Sequence, residues 1–364
     1  MSRVRPRGEE IRRYILENVQ HNPTGISRLA SDHFSITRQA INGHLNRLVE
    51  EGSLREKGKT RSKTYELAQL VEWSKEYQLN TSAAPEEDLV WREDISGILG
   101  PLPENVRDIW AYGFTEMFNN ARDHSAGSSV GVSIEKTAIA TQMLIADDGV
   151  GIFRKIQKAM NLLDEKHAVF ELSKGKLTTA PDRHSGEGIF FTSRVFDRFN
   201  ILSGGVFFTH QFGEDEDWLA ERKTPADGTA VFMSLHNHTA RTTKKVFDQY
   251  AGGDDSYGFN KTVVPLELAQ YGNDKLISRS QAKRVMARVD LFRTVVLDFK
   301  DVPTIGQAFA DEVFRVYAKE HPGVDLVPVR ANAEVRQMIQ RILAAAKEDR
   351  GAKPDASSEE NQLT

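Results

Sequence analysis

Apolar residues recur at helical spacing in the first fifty positions. Ile11, Tyr14, Ile15 and Val19 predict a helix over about 9–19, and Asn22-Pro23-Thr24-Gly25 breaks it. Ile26, Leu29 and Ala30 predict a short second helix. Ala40, Ile41, Leu45, Leu48 and Val49 predict a third, capped by Ser35 or Thr37 and ended by Gly52. Residues 53–67 read as two short strands around a turn near Gly58. Residues 69–78 extend as a helix, and the breaker-rich 80–88 marks a boundary. The clearest helix covers 104–124, with Val106, Ile109, Trp110, Gly113, Phe114, Met117 and Ala121 on its buried stripe. Strands follow at 129–135 and 140–145, then a helical pattern from Ile189 and a strand over 230–235. Beyond residue 260, strands at 263–268, 294–299 and 325–329 alternate with helices at 278–291, 306–320 and 332–346. This pattern predicts an α/β multidomain chain. Its parts are 1–70, a linker over 71–103, 104–245, 260–346, and a polar, disordered tail over 347–364.

Composition narrows the chemistry. The 364 residues include no cysteine, which excludes disulfides, thiolate zinc sites, iron–sulfur clusters and a cysteine nucleophile. No apolar run is long enough for a membrane span, and no apolar stretch follows the basic N-terminus as in a signal peptide. A cytoplasmic chain with no membrane partner is expected. The net charge of −4 hides an asymmetry: residues 1–66 carry 13 Lys/Arg against 8 Asp/Glu. A basic segment on an acidic body fits a polyanion-binding module, and a solvated surface fits it equally well.

In that basic segment the polar face of the third helix shows Arg38, Gln39, Asn42 and Asn46. These side chains can hydrogen-bond base edges or phosphates. Arg55, Lys57, Lys59, Arg61 and Lys63 line the hairpin that follows. Two helices, the third helix Ile36-Thr-Arg-Gln-Ala-Ile-Asn-Gly-His-Leu45 and a basic hairpin resemble a winged helix-turn-helix domain of bacterial regulators. The resemblance implies double-stranded DNA as partner, with Arg38, Gln39 and Asn42 toward the bases and Lys57, Lys59 and Arg61 along phosphates. A winged helix used for protein contacts is the competing reading.

On the 104–124 helix, Glu116, Asn119, Asn120 and Asp123 fall at i, i+3, i+4 and i+7, so they cluster on one polar face. Adjacent asparagines are mediocre helix formers and call for a reason. The 140–145 strand runs into Asp147-Asp-Gly149-Val-Gly151. Alone, that motif fits a calcium loop or a plain turn as well as a ligand site. Gly186 and Gly188 precede a helical pattern, where amides can face a phosphate chain. Gly228-Thr229 heads the 230–235 strand.

In this order and spacing, Glu116-x-x-x-Asn120, Asp147-x-Gly149-x-Gly151, Gly186-x-Gly188 and Gly228-Thr229 resemble the motif boxes of the GHKL ATPase superfamily. That superfamily includes gyrase B, MutL, histidine kinases and anti-sigma-factor kinases. The resemblance implies a Bergerat-fold α/β sandwich that binds ATP and Mg²⁺. It implies Asn120 as the metal ligand, Asp147 as acceptor of the adenine amine helped by Thr229, and Gly149 and Gly151 against the purine. It also implies a lid over 153–185 with Gly186 and Gly188, where Lys174, Lys176, Arg183 and His184 face phosphates or solvent. Glu116 matches the general base. No phosphoacceptor-histidine hairpin precedes residue 104.

The third part, from Leu297 to Glu312, resembles the strand-turn-helix of STAS domains, and more closely a STAS-like domain of undefined function found beside GHKL ATPases. Gln307 stands where antagonists of the STAS class carry their phosphorylated serine, so a docking role with a protein partner is expected instead. Three functions follow from these resemblances: an ATP-switched DNA-binding regulator, a serine/threonine kinase acting on another protein, and a non-hydrolysing ATP sensor. A homodimer is expected by analogy.

Overall fold

Thr37 begins the best-defined helix of the N-terminal part by accepting a hydrogen bond from the Ala40 amide at 3.2 Å. In the computed structural model, residues 6–59, 63–80, 84–178, 186–213, 217–251, 258–270 and 275–351 are described. They form a mixed α/β protein that divides into two units, 1–158 with 191–243, and 159–190 with 244–364.

The first unit starts with α1 (Pro6–Val19), α2 (Ile26–Phe34) and α3 (Arg38–Glu50), then the antiparallel hairpin β1 (Leu54–Lys57) and β2 (Thr64–Leu67). Ile11, Ile15, Val19, Ile26, Ala30, Ile41, Leu45, Leu48, Leu54 and Tyr65 make one core. The helical stripes read from the sequence face it, except that Ala40 of the third stripe is exposed.

A five-stranded antiparallel sheet follows, in the order β3-β4-β5-β7-β6. Its strands are β3 (Val71–Gln78), β4 (Ser129–Lys136), β5 (Ala140–Asp147), β6 (Arg198–Gln211) and β7 (Asp217–His236). Two expectations change here. Residues 69–78 are not a helix, because Val71–Gln78 pairs with β4 along its whole length. Nor is 71–103 merely a connection. After β3 come α4 (Glu87–Val90), a turn of π-helix (Trp91–Ile95) and α5 (Ser96–Leu99). Asp94 accepts from Lys75 at 2.6 Å and from the Tyr77 hydroxyl at 2.8 Å, which ties this helical run to β3. β3 is a charged edge strand, and its Glu and Lys residues imitate a helix pattern. The β6–β7 hairpin is also longer than the single strand read over 230–235. Gly204, at φ 56°, sits at the register shift in β6.

The long α6 (Glu104–Asn119) continues as a π-turn over Asn120–His124. Its apolar stripe is buried as read, with Trp110 and Phe114 fully enclosed. Gly113 lies at the tightest point. A Cβ there would come within 2.3 Å of the Phe196 ring, which packs edge-on against Trp110. α7 (Ile152–Ala159) follows the Gly149–Gly151 turn.

The second unit holds α8 (Glu165–Ser173). In the division of the chain, α9 (Gly188–Val195) has its first three residues in the second unit and the rest in the first. The second unit continues with α10 (Thr243–Asp248) and the parallel sheet β10-β9-β8, made of β8 (Lys261–Pro265), β9 (Thr294–Asp298) and β10 (Asp325–Val329). Its helices are α11 (Arg279–Val285), α12 (Gln307–Asp311), α13 (Ala318–Glu320) and α14 (Ala333–Gly351). The helix expected over 278–291 is interrupted, because Arg288 adopts a left-handed φ of 63°. α14 runs past residue 346 to Gly351, and the tail expected beyond it lies outside the described residues. Among the described residues no helix is long and apolar enough to cross a membrane.

Gly113→Ala gains about 1 kcal/mol of helix propensity but overpacks a closed core, which costs about 1–3 kcal/mol. The Phe196 ring is fully buried and has no room to withdraw. Thermal unfolding is expected to show a lower Tm for the variant; an unchanged or higher Tm would contradict this close approach.

Candidate functional site

Asp147 ends β5 directly opposite Thr229 of β7 and Val130 of β4. Its Oδ1 accepts from the Gly149 amide at 2.9 Å and the Thr229 amide at 3.3 Å. Burial pushes its pKa up to about 6, although those two amide bonds pull the other way and the neighbouring Asp148 adds a smaller upward push. Thr229 is buried, and its hydroxyl accepts from the Ile152 amide at 2.9 Å. Ser203 lies 3.3 Å from the Thr229 hydroxyl and donates to the Gly228 carbonyl at 3.1 Å. Sequence reasoning passed over Ser203, because it lies in a Gly-rich stretch that gave no strand signal.

The glycines are explained by the protein's own backbone. A Cβ on Gly149 would meet the Ser125 carbonyl oxygen at 2.2 Å, and one on Gly228 would meet the Asp147 carbonyl oxygen at 2.0 Å. Gly151, at φ 87°, faces the Ser203 hydroxyl at 2.8 Å from such a Cβ. The amide of Gly228 donates to the Gly149 carbonyl at 2.7 Å and that of Val150 to Ser125 at 2.9 Å. Three chain segments thus close around one carboxylate because they carry no side chain there.

Asp148 points elsewhere. It accepts from the amides of Ser128 and Ser129 at 2.7 and 2.9 Å and from the Ser128 hydroxyl, and these donors hold its pKa down at about 2. Adjacent aspartates therefore have opposite environments, and only Asp147 is desolvated.

Glu116 and Asn120 lie one turn apart at the end of α6, both half-buried. The side-chain oxygen of Asn119 is buried without a partner among the described residues. Asp123 bonds Arg122 instead, and Arg122 also reaches Glu86 at 2.6 Å and Glu87 at 2.8 Å. Lys155 donates to the His124 carbonyl at 2.6 Å, and burial lowers its pKa.

The segment read as a lid contains most of α7 and all of α8, and its residues 179–185 lie outside the described residues. Lys174 is corrected outright. Its side chain is 1% exposed and is held by Glu171 at 2.7 Å, so it presents no charge to solvent. Lys176, Gly186 and Gly188 all belong to the second unit. Lys176 donates to the Leu291 carbonyl at 2.9 Å, and Gly186 packs on the Leu177 backbone at φ 72°. Arg183 and His184 lie outside the described residues.

On α3, Arg38, Gln39, Asn42 and Asn46 are exposed, as the stripe requires. Asn42 already accepts from Ser27 at 2.7 Å, and Lys57 is paired with Glu66 at 2.8 Å. Lys59 is exposed at the hairpin turn, and Arg61 lies outside the described residues.

The family model of a STAS-like domain of unknown function (DUF4325) matches residues 281–336. This stretch is a STAS-like domain. It covers α11, β9, α12, α13 and β10 and falls within the 260–346 expected. No curated protein matches the chain. Gln307 is the first residue of α12, after the N-cap Gly306.

Asp147 makes a function-independent test. Its folded pKa of about 6 exceeds its ordinary value of 3.8. The fold therefore favours the neutral form. The ionised group opposes folding above pH 6, and that opposition is relieved as pH falls toward 4. A shift of this size corresponds to at most about 3 kcal/mol. Asp147→Asn keeps an oxygen for both amides and removes the charge. Denaturant titrations are expected to show the variant more stable than the wild type at pH 7.5, with the gap closing toward pH 4. A less stable variant at pH 7.5, with no closing of the gap, would contradict the desolvation.

Proposed function

We propose that the chain is an ATP-responsive regulator. Its 104–245 part is a GHKL-type, Bergerat-fold ATP-binding module, its 1–70 part a DNA-binding winged helix, and its STAS-like domain a docking element. One observation carries the nucleotide reading: Asp147 is a desolvated carboxylate with one oxygen fixed by two backbone amides. Keeping such a charge out of water costs stability unless a ligand donor completes it. The exocyclic amine of adenine is such a donor, and it fits a strand end where Thr229 stands opposite.

The other residues fit the same group. Asn120 offers a neutral oxygen to Mg²⁺, whose remaining positions suit phosphate oxygens and water. Bound Mg²⁺ would neutralise charge developing on the phosphates. Glu116, one turn earlier, is placed to take a proton from water or from a hydroxyl. Hydrolysis with a conformational change is the proposed outcome, and transfer to another protein uses the same base. The exposed Arg38, Gln39, Asn42 and Lys59 support the DNA reading, with Lys57 engaging phosphate at the expense of its pair with Glu66. The proposal places the protein in the cytoplasm as a homodimer.

Titration with Mg·ATP tests the site. Loss of one charge-assisted hydrogen bond costs about 1.5–3 kcal/mol, so Asp147→Asn is expected to weaken ATP binding by roughly 10- to 100-fold. Asn120→Ala is expected to weaken binding only when Mg²⁺ is present. Unchanged ATP affinity in Asp147→Asn would remove the assignment. For DNA, Arg38→Ala and Lys59→Ala are each expected to weaken duplex binding at low salt, and Lys59→Ala to reduce the salt slope by about one. Equal binding by both variants and the wild type would exclude this face of α3 as the interface.

A further inference from the structure

The STAS-like domain holds a cavity of about 410 Å³ that the nucleotide reading does not use. One wall is α11 with its C-cap, where Arg279, Lys283 and Met286 recur at i, i+4 and i+7 and so share a face. Another is a π-helical turn, Glu312–Tyr317, that joins α12 to α13. It contributes Glu312, Arg315, Val316 and Tyr317, and Glu320 of α13 adds a second carboxylate. Single π-turns within helices occur frequently at functional sites. Of these residues only Arg279 precedes the stretch matched by the STAS-like family. Gln307 does not line the cavity.

Two polar groups in these walls lack a full set of partners. The Glu312 side chain is 11% exposed, and its ion-pair partner, Lys283, stands 3.8 Å away. That is beyond hydrogen-bond reach. A carboxylate so far out of water, with its cation at that distance, is costly to keep charged. Its neighbour Asp311 is the contrast, taking two bonds from Arg315 at 2.5 and 2.7 Å. Tyr317 is the second group. Its hydroxyl is enclosed and has no hydrogen-bond partner among the described residues. His321 stacks on its ring at 4.0 Å between centres, which fixes the ring. Burial pushes the Tyr317 pKa up to about 12, with a smaller push from Asp290, so the hydroxyl stays neutral. The cations of α11 are loosely held as well. Arg279 reaches Asp311 only at 3.6 Å, and both Arg279 and Lys283 are exposed.

We propose that this cavity binds a small zwitterion of the α-amino-acid class. The ligand's ammonium supplies Glu312 with the donor it lacks, and its carboxylate pairs with Arg279 and Lys283. Both signs of charge line the cavity, so a ligand that carries both is matched. A simple anion meets Glu312 and Glu320, and a simple amine meets Arg279, Lys283 and Arg315. Met286 and Val316 offer an apolar surface to the ligand's side chain. The volume falls within the range of small-molecule sites, about 300–1,000 Å³. The site lies wholly in the second unit and needs nothing from Asp147. It gives the docking element a small-molecule input of its own.

Calorimetry of the full-length chain against each standard L-amino acid at millimolar concentration tests this. Saturable binding is expected, strongest for an apolar side chain. The decarboxylated amine and the N-acetyl derivative of the best binder each lose one charged partner, so each is expected to bind roughly 10- to 100-fold more weakly. Glu312→Gln is expected to weaken binding by a similar factor. Lys283→Ala, at an exposed position that leaves the core untouched, is expected to weaken it too. Hydrogen exchange across β8, β9 and β10 checks that both variants keep the sheet folded. Asp147→Asn is expected to leave amino-acid binding unchanged, which separates this site from the nucleotide reading. Absence of saturable binding by any amino acid would overturn the proposal. Binding that Glu312→Gln and Lys283→Ala both leave intact would overturn it as well, and so would equal affinity for the amine or the N-acetyl derivative.

Discussion

Desolvation of one carboxylate organises the candidate site. Asp147 has to be brought under cover at the end of β5, and the chain accomplishes this with three close backbone approaches. Gly149 presses on Ser125, Gly228 on Asp147 itself, and Gly151 on Ser203. Each approach forbids a Cβ, so the glycines follow from the burial of the charge. The contrast with Asp148 isolates the cause. Two adjacent aspartates share a backbone, yet one is solvated and held low by three donors while the other is pushed up by burial. A desolvated carboxylate of this kind is one that a ligand donor can complete, and this is the physical basis of the proposed nucleotide site.

The second unit uses charge differently. Glu171 pairs with both Lys174 and Arg288, and burial opposes its charge while His167, Lys174 and Arg288 hold its pKa down at about 2. The Asp147 carboxylate is incomplete, whereas this triad is closed. Both depend on the same rule, that an ion removed from water must find its full set of partners.

Much of the fold was legible in the sequence, for identifiable reasons. The α6 stripe and the helices α1 to α3 have strong 3.6-residue periodicity, and most of their buried residues are those the pattern named; it missed the buried Phe118 and included the exposed Ala40. The alternation beyond residue 260 was equally clear, and the STAS-like match falls inside it. What escaped was ruled by pairing partners far along the chain. β3 carries Glu72, Lys75 and Glu76 on an edge, where solvent tolerates them, so its period of two was masked. The long pairing of β6 with β7 hides behind Gly204-Gly205 and the acidic sequence after Gly213. For the site, the spacing singled out Asp147, Gly149 and Gly151, and it read the glycines as room for a flat ring, whereas Gly149 packs against Ser125 and Gly151 against Ser203. The fate of Lys174 was not legible, because the Arg284 and Ala287 carbonyls that hold it, and the Arg288 that shares Glu171 with it, lie more than a hundred residues away. Without that information a buried lysine in a polar stretch looks like a solvated one.

The central claim is that Asp147 recognises an exocyclic amine. The most direct measurement compares the affinities of ATP and ITP for the full-length chain in the presence of Mg²⁺. The two nucleotides share ribose and triphosphate and differ at one position of the base, where ITP carries a carbonyl in place of the amine. A site that loses its donor and leaves a buried acceptor unpaired is expected to reject the analogue by about 1.5–3 kcal/mol, or roughly 10- to 100-fold. Tight ATP binding with ITP weaker by that factor is the predicted result. Equal affinities for the two nucleotides would contradict it.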